Sequence, residues 1–174
     1  MTPSLSRLAL LLFVLCGIGI ALLILVPTLA WFGPIPGMWG AGPAPFRRAA
    51  LAPGQEVVGW LLAMPPYVAV ALGLGQLMAF CHRLRDRRVF SGDAAAALRR
   101  FGWSLLAASL LLPLSRASLL VLVGGLADAV HLGLAGVTLV MFVALGATFG
   151  LVFVVFAAIL SEAARLADEN AAFV

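Results

Sequence analysis

The sequence contains no lysine, so its formal net charge of +4 comes from eleven arginines set against seven acidic residues. A phosphate-binding loop of the Gly-Lys-Ser/Thr type is therefore excluded. The only two cysteines, Cys16 and Cys81, form no Cys-x-x-Cys pair, and we expect both to pack as small apolar residues. Neither a His-Glu-x-x-His motif nor a Gly-x-Ser-x-Gly turn is present. With these catalytic and metal-binding motifs missing, we expect a protein that is not an enzyme and has no cofactor.

Charged residues are also scarce, at 10% of the chain, while hydrophobic residues make up 64%. Soluble domains have about 25% charged and 45–50% apolar residues, so a soluble fold could not bury this much apolar surface. Four apolar stretches reach the roughly 20 residues that a helix needs to cross a hydrocarbon core of about 30 Å. The sequence predicts an all-α fold: an integral membrane bundle of four transmembrane helices in one domain, residues 1–174, with spans at about 8–31, 57–80, 101–123 and 132–160.

Two of these stretches have features that bear on how they cross the membrane. The uncharged run Leu8–Val26 has 19 residues, more than the roughly 7–15 of a signal-peptide core, so we expect a retained helix. In the second stretch, Pro65 and Pro66 lack backbone N–H groups and predict a kink. Neighbouring helices would have to supply donors to the carbonyls that these prolines leave unpaired.

Basic residues between the second and third stretches predict the orientation of the chain. Arginine-rich connections stay in the cytoplasm, and this one holds more arginines than any other. With four spans, both termini, including the tail 161–174, then lie in the cytoplasm as well. We read these arginines as a topology signal that also contacts anionic lipids, with no direct nucleic-acid binding. They are Arg83, Arg85, Arg87, Arg88, Arg99 and Arg100.

The tail extends the fourth helix with a change from apolar to charged residues. Arg165 follows Glu162 by three positions and precedes Asp168 and Glu169 by three and four. These spacings place all four side chains on neighbouring helix positions. Two readings stay open: a solvated helix end held by ion pairs, or a docking surface for a cytoplasmic partner.

A second group of polar residues lies towards the opposite side of the membrane. Arg116 is 15 residues beyond Phe101, or roughly 23 Å along a helix, so it can extend its side chain to the outer interface. Alternatively it pairs with Asp128, or with a carbonyl near the kinked prolines, and forms a polar pocket that also includes His131. Ionisable groups inside membranes are candidates for function, so this pocket would suit a transport or channel subunit.

Small and aromatic residues add two further expectations. Gly146 and Gly150 form a small-xxx-small pattern, which permits close helix packing within the bundle or in a homo-oligomer. Trp31, Trp39 and Trp60 bracket the first connection and are typical of interfacial anchors.

Two segments together resemble a known family. The segment "RDRRVFSGDAAAALRRFGW" (85–103) and the segment "FAAILSEAARLADENAAFV" (156–174) are similar to bacterial four-helix membrane proteins grouped as domain of unknown function 2975. Ala94 departs from that family, which commonly has Asn at this position. The resemblance implies an inner-membrane protein and, because members are often encoded beside a small helix-turn-helix regulator, a partner of that kind. The matching positions are Phe90, Ser91, Asp93, Leu98, Arg99, Arg100, Gly102, Trp103, Glu162, Ala164, Arg165, Leu166, Glu169, Asn170 and Val174.

The sequence thus favours a bacterial inner-membrane protein that presents a basic loop and a charged C-terminal helix to a cytoplasmic partner. The alternative is a small transporter or channel-like subunit with its polar pocket around Arg116.

Overall fold

A computed structural model of the chain describes residues 3–32, 53–85, 92–122 and 132–171. Five helices account for all of these residues except Met64, and no strand occurs in this part of the chain. The all-α prediction is therefore confirmed. The helices are α1 (Pro3–Phe32), α2 (Pro53–Ala63), α3 (Pro65–Arg85), α4 (Gly92–Leu122) and α5 (Leu132–Ala171).

Three helices are long and apolar enough to cross a membrane: α1 over Ala9–Leu29, α4 over Gly92–Leu119 and α5 over Leu139–Leu166. The pair α2 and α3 meets the same criteria when it is counted as one broken span, which makes four. Large apolar side chains on α1 and α5 point away from the protein, as they do when lipid is the solvent. These features are those of a membrane protein.

The predicted kink is present between α2 and α3, whose axes differ by 43°. Pro66 has no N–H to donate to the carbonyl of Leu62, four residues earlier. The hydroxyl of Ser115 on α4 donates to that carbonyl at 2.6 Å, and the Ser115 side chain is buried. A neighbouring helix therefore supplies the missing donor, as the sequence predicts.

The kink lies level with the ends of α1 and α4, because Ala63 packs there against Trp31 and Leu119. Trp31 is only 5% exposed, and its ring lies against Gly59 of α2. Its Nε1 donates to the Glu56 carbonyl oxygen at 3.0 Å. The sequence predicts an interfacial anchor at Trp31, but the structure instead buries this residue inside the protein. The absence of a side chain at Gly59 makes room for the indole.

The spans lie side by side in the order α1, α3, α4, α5. In the described part of the chain α3 packs on α1 and on α4, and α5 packs on α4, but α1 and α5 share no extensive contact. This arrangement is a row, whereas the sequence led us to expect a bundle.

Small residues let α4 and α5 approach closely. A Cβ added at Gly102 would lie 2.7 Å from the Gly150 carbonyl oxygen, and one added at Gly146 would overlap the Ser109 hydroxyl. Buried small residues recur every seven positions on both helices, which is the repeat of a left-handed helix pair. We call these six residues the small-residue seam: Ala95, Gly102 and Ser109 on α4 and Gly150, Ala157 and Ala164 on α5.

Candidate functional site

The charged end of α5 is the first of two candidate sites. Arg165 forms ion pairs of 2.5 Å with Glu162 and with Glu169, and all three side chains are more than half exposed. The guanidinium also donates from Nε to the Glu162 carboxylate at 3.2 Å. The predicted spacing thus brings these three residues together, because positions three and four apart are neighbours on a helix. The side chain of Asp168 lies outside the described part of the structure.

The register of the seam shows how far this charged end reaches. Because α4 and α5 run antiparallel with Gly102 facing Gly150, the first residue of α4, Gly92, lies level with about residue 160 of α5. The remaining helix, 161–171, then extends about 17 Å beyond the start of α4. The sequence could not reveal this projection, since it depends on the register between two helices.

The first turns of α4 hold basic residues beside this projection. Ala94, Ala95 and Ala97 are buried, while Arg99 and Arg100 are exposed. Since α3 and α4 pack on one another, the last turn of α3, which carries Arg83 and Arg85, belongs to the same end of the molecule. The side chains of Arg83 and Arg85, and the whole of Arg87 and Arg88, lie outside the described residues.

The second candidate site is a cleft of about 410 Å³ between α1, α3 and α4. Arg116 lines it from α4 and is exposed. Tyr67 lines it from α3 and lies within range of electrostatic interaction with Arg116. We did not single out Tyr67 from the sequence, although it is the only tyrosine of the chain. The rest of the lining is Gly19, Leu22, Leu23, Val26 and Pro27 of α1.

Other residues singled out from the sequence are placed only in part. Asp128, His131 and Trp39 lie outside the described residues, so the predicted pairing of Arg116 with Asp128 stays a prediction. Cys16 and Cys81 are both buried, as expected for small apolar residues. Among the described residues, no group of three or more His, Cys, Asp or Glu side chains could hold a metal ion.

No curated protein and no solved structure matches this chain significantly. The family model described as "Protein of unknown function (DUF2975)" matches residues 43–174, about three quarters of the chain. The matched residues include the basic first turns of α4, the charged end of α5 and Arg116. The chain therefore belongs to the DUF2975 family of proteins of unknown function.

Proposed function

We propose that this protein is a non-enzymatic protein of the bacterial inner membrane. It binds a soluble cytoplasmic partner through the charged end of α5 and the basic residues at the neighbouring ends of α3 and α4. The observation that carries the proposal is the projecting end of α5, with its exposed network of Glu162, Arg165 and Glu169. A helix that only needed to reach the level of the first residue of α4 would not require the eleven further residues 161–171. A projecting charged helix instead offers side chains at fixed positions for electrostatic recognition.

The orientation in this proposal rests on the arginine distribution. Six arginines lie between residues 83 and 100, and short arginine-rich connections remain on the cytoplasmic side. The projecting end of α5 lies on the same side as this connection, since α4 and α5 are antiparallel and consecutive. A cytoplasmic partner would therefore meet acidic and basic side chains on one surface. Some of the arginines would also contact anionic lipid headgroups.

The class of the partner follows by analogy from the family. A small helix-turn-helix regulator is the candidate that the family resemblance implies. Such a regulator carries basic residues for DNA. The network at the end of α5 sets two carboxylates, Glu162 and Glu169, against one guanidinium, Arg165, and so keeps a net negative charge that would attract them. Binding here would compete with DNA for the same basic surface and would hold the regulator at the membrane.

Site-specific photo-crosslinking in cells tests the proposal. With p-benzoylphenylalanine in place of Glu169, we expect a covalent adduct with one soluble protein, which mass spectrometry should identify as a DNA-binding protein. The control is the same replacement at Leu110, which is 72% exposed in the middle of α4 and so faces lipid. The control should give no such adduct. An equal protein adduct at both positions, or adducts with lipid alone at position 169, would contradict the proposal.

Transport is the alternative, and it has less support in the described residues. A substrate path needs polar groups distributed through the depth of the membrane. The cleft instead has two side chains with polar groups, Tyr67 and Arg116, and five residues with none. Ser109, near the middle of α4, is buried in the small-residue seam and donates to the Leu105 carbonyl. The assembly of several copies of this chain into a homo-oligomer, which the small-xxx-small pattern permits, stays a prediction.

A further inference from the structure

The two polar side chains of the cleft lie towards the same end of it. Leu74 on α3 contacts the position of Gly19 on α1, and because these helices are antiparallel, Tyr67 is level with Pro27. Ser115 donates to the Leu62 carbonyl, so Arg116, the next residue of α4, lies about five residues, or roughly 8 Å along a helix, beyond the level of Tyr67. The long Arg116 side chain still lines the cleft and interacts electrostatically with Tyr67. Arg116 and Tyr67 thus form the polar end of the cleft.

The apolar part of the cleft runs from this polar end towards the centre of the membrane. Gly19 lies ten residues before Leu29, the last residue of the apolar segment of α1, which corresponds to about 15 Å along a helix. A hydrocarbon core is about 30 Å thick, so the cleft spans one leaflet. Leu22, Leu23 and Val26 provide its wall between these two levels.

This arrangement matches one kind of ligand. A guanidinium binds phosphate oxygens through paired charge-assisted hydrogen bonds, and a tyrosine hydroxyl can donate a further one. The apolar wall offers nothing to a small hydrophilic anion, but it suits an acyl chain. Both requirements are met by a molecule with an anionic phosphate at one end and hydrocarbon at the other.

We propose that the cleft binds a single anionic phospholipid, with its phosphate at Arg116 and Tyr67 and one acyl chain along Leu22, Leu23 and Val26 of α1. The site lies at the opposite end of the helices from the charged end of α5, so it is independent of the function proposed above.

Native mass spectrometry of the delipidated protein in detergent tests this proposal. The probes are phosphatidylglycerol and phosphatidylcholine with identical acyl chains, and glycerol-1-phosphate as a headgroup without a chain. We expect the wild-type protein to retain one phosphatidylglycerol about tenfold more tightly than phosphatidylcholine, the difference that one charge-assisted contact makes. Glycerol-1-phosphate should neither bind measurably nor compete.

Two variants of the cleft separate the roles of charge and shape. Arg116→Gln should abolish the preference for phosphatidylglycerol over phosphatidylcholine. Leu22→Trp, which fills the apolar part of the cleft, should weaken retention of both lipids about tenfold while leaving the preference between them. The matched controls are Arg99→Gln, which removes a charge at the other end of α4, and Leu110→Trp, which adds the same bulk on a lipid-facing position.

Each other outcome overturns the proposal. If the Arg116→Gln variant still prefers phosphatidylglycerol to phosphatidylcholine, the phosphate is bound elsewhere. The same conclusion follows if Arg99→Gln, and not Arg116→Gln, abolishes that preference. If glycerol-1-phosphate displaces the lipid at equal concentration, the site binds a soluble anion and the acyl chain contributes nothing. Circular dichroism of each variant checks its helix content, and Leu22→Trp supplies a test that leaves Arg116 in place.

Discussion

At the scale of single residues, Ser115 shows how one hydroxyl makes a broken helix tolerable in a membrane. Its hydrogen bond satisfies a carbonyl that Pro66 leaves without a donor. The sequence predicted both the kink and the need for a donor, because a proline pair has the same effect on any helix. It could not identify Ser115, which is 53 positions from Leu62 and resembles every other serine in α4.

Removing this hydroxyl should destabilise the junction between α2 and α3. Ser115→Ala leaves a buried carbonyl unpaired, and we expect a loss of about 1 kcal/mol in the free energy of unfolding, the typical value for a hydrogen bond in a membrane protein. Thermal or denaturant unfolding in detergent measures this.

The matched control for that change is Ser118→Ala, one turn along α4. The Ser118 hydroxyl bonds to the Leu114 carbonyl of its own helix, which has a backbone donor as well, so its loss should change stability by less than about 0.5 kcal/mol. Equal losses in the two variants would mean that the contact with Leu62 has no special role.

At the scale of helices, the small-residue seam fixes how α4 and α5 pack. The sequence drew attention to Gly146 and Gly150, and both face α4 of the same chain, which agrees with packing within the chain. The sequence did not reveal that Gly102 is the partner of Gly150. Single glycines in a helix are common, and a seam between two helices becomes visible only when their register is known.

An alanine at Gly102 should separate the two helices. Its Cβ would lie 2.7 Å from a backbone oxygen, and backbone atoms cannot move aside as a flexible side chain can. We expect Gly102→Ala to lower the free energy of unfolding by about 1–3 kcal/mol, as is typical of overpacking. Unfolding in detergent again gives the measurement.

Gly75→Ala on α3 provides the contrast. An added Cβ at that position meets nothing within 4 Å, and alanine favours a helix over glycine by up to about 1 kcal/mol. Gly75→Ala should therefore be neutral or stabilising. If both alanine variants behave alike, close contact at Gly102 is not what holds α4 against α5.

At the scale of the whole molecule, the orientation in the membrane depends on the arginines more than on the helices. We expect a fluorescent protein fused after Val174 to fluoresce and alkaline phosphatase fused there to be inactive, since the first folds in the cytoplasm and the second works outside it. Active phosphatase would instead show that the C-terminus lies outside the cytoplasm, the reverse of the expected orientation. Changing Arg83, Arg85, Arg87 and Arg88 to Gln should produce a mixed population, because it weakens the bias that sets the topology.

The row of helices makes a second prediction at this scale. Neighbouring helix axes are about 8–10 Å apart, so α1 and α5, at the two ends of the row, should be separated by about 24–30 Å. Spin labels at Leu15 and Val155, both exposed and at similar depth, allow this distance to be measured by double electron-electron resonance. A distance of about 10–15 Å would instead indicate a closed bundle.

Composition and apolar length were enough to predict the helices, the membrane and the spacing of the charged side chains on α5. They could not predict which helices pack together, because lipid-facing and protein-facing residues are equally apolar in a membrane. Trp31 illustrates the limit: the same tryptophan suits an interface or a buried position, and only the contact with Gly59 decides between them.

A row of helices, unlike a ring of helices, encloses no interior space. Among the described residues, α3 and α4 each pack between two other helices of the row, whereas α1 and α5 each pack against one. Such a row does not by itself surround a column of water. We therefore expect an aqueous route, if the protein forms one, to need several copies joined along α1 and α5, whose outward-facing side chains are predominantly apolar.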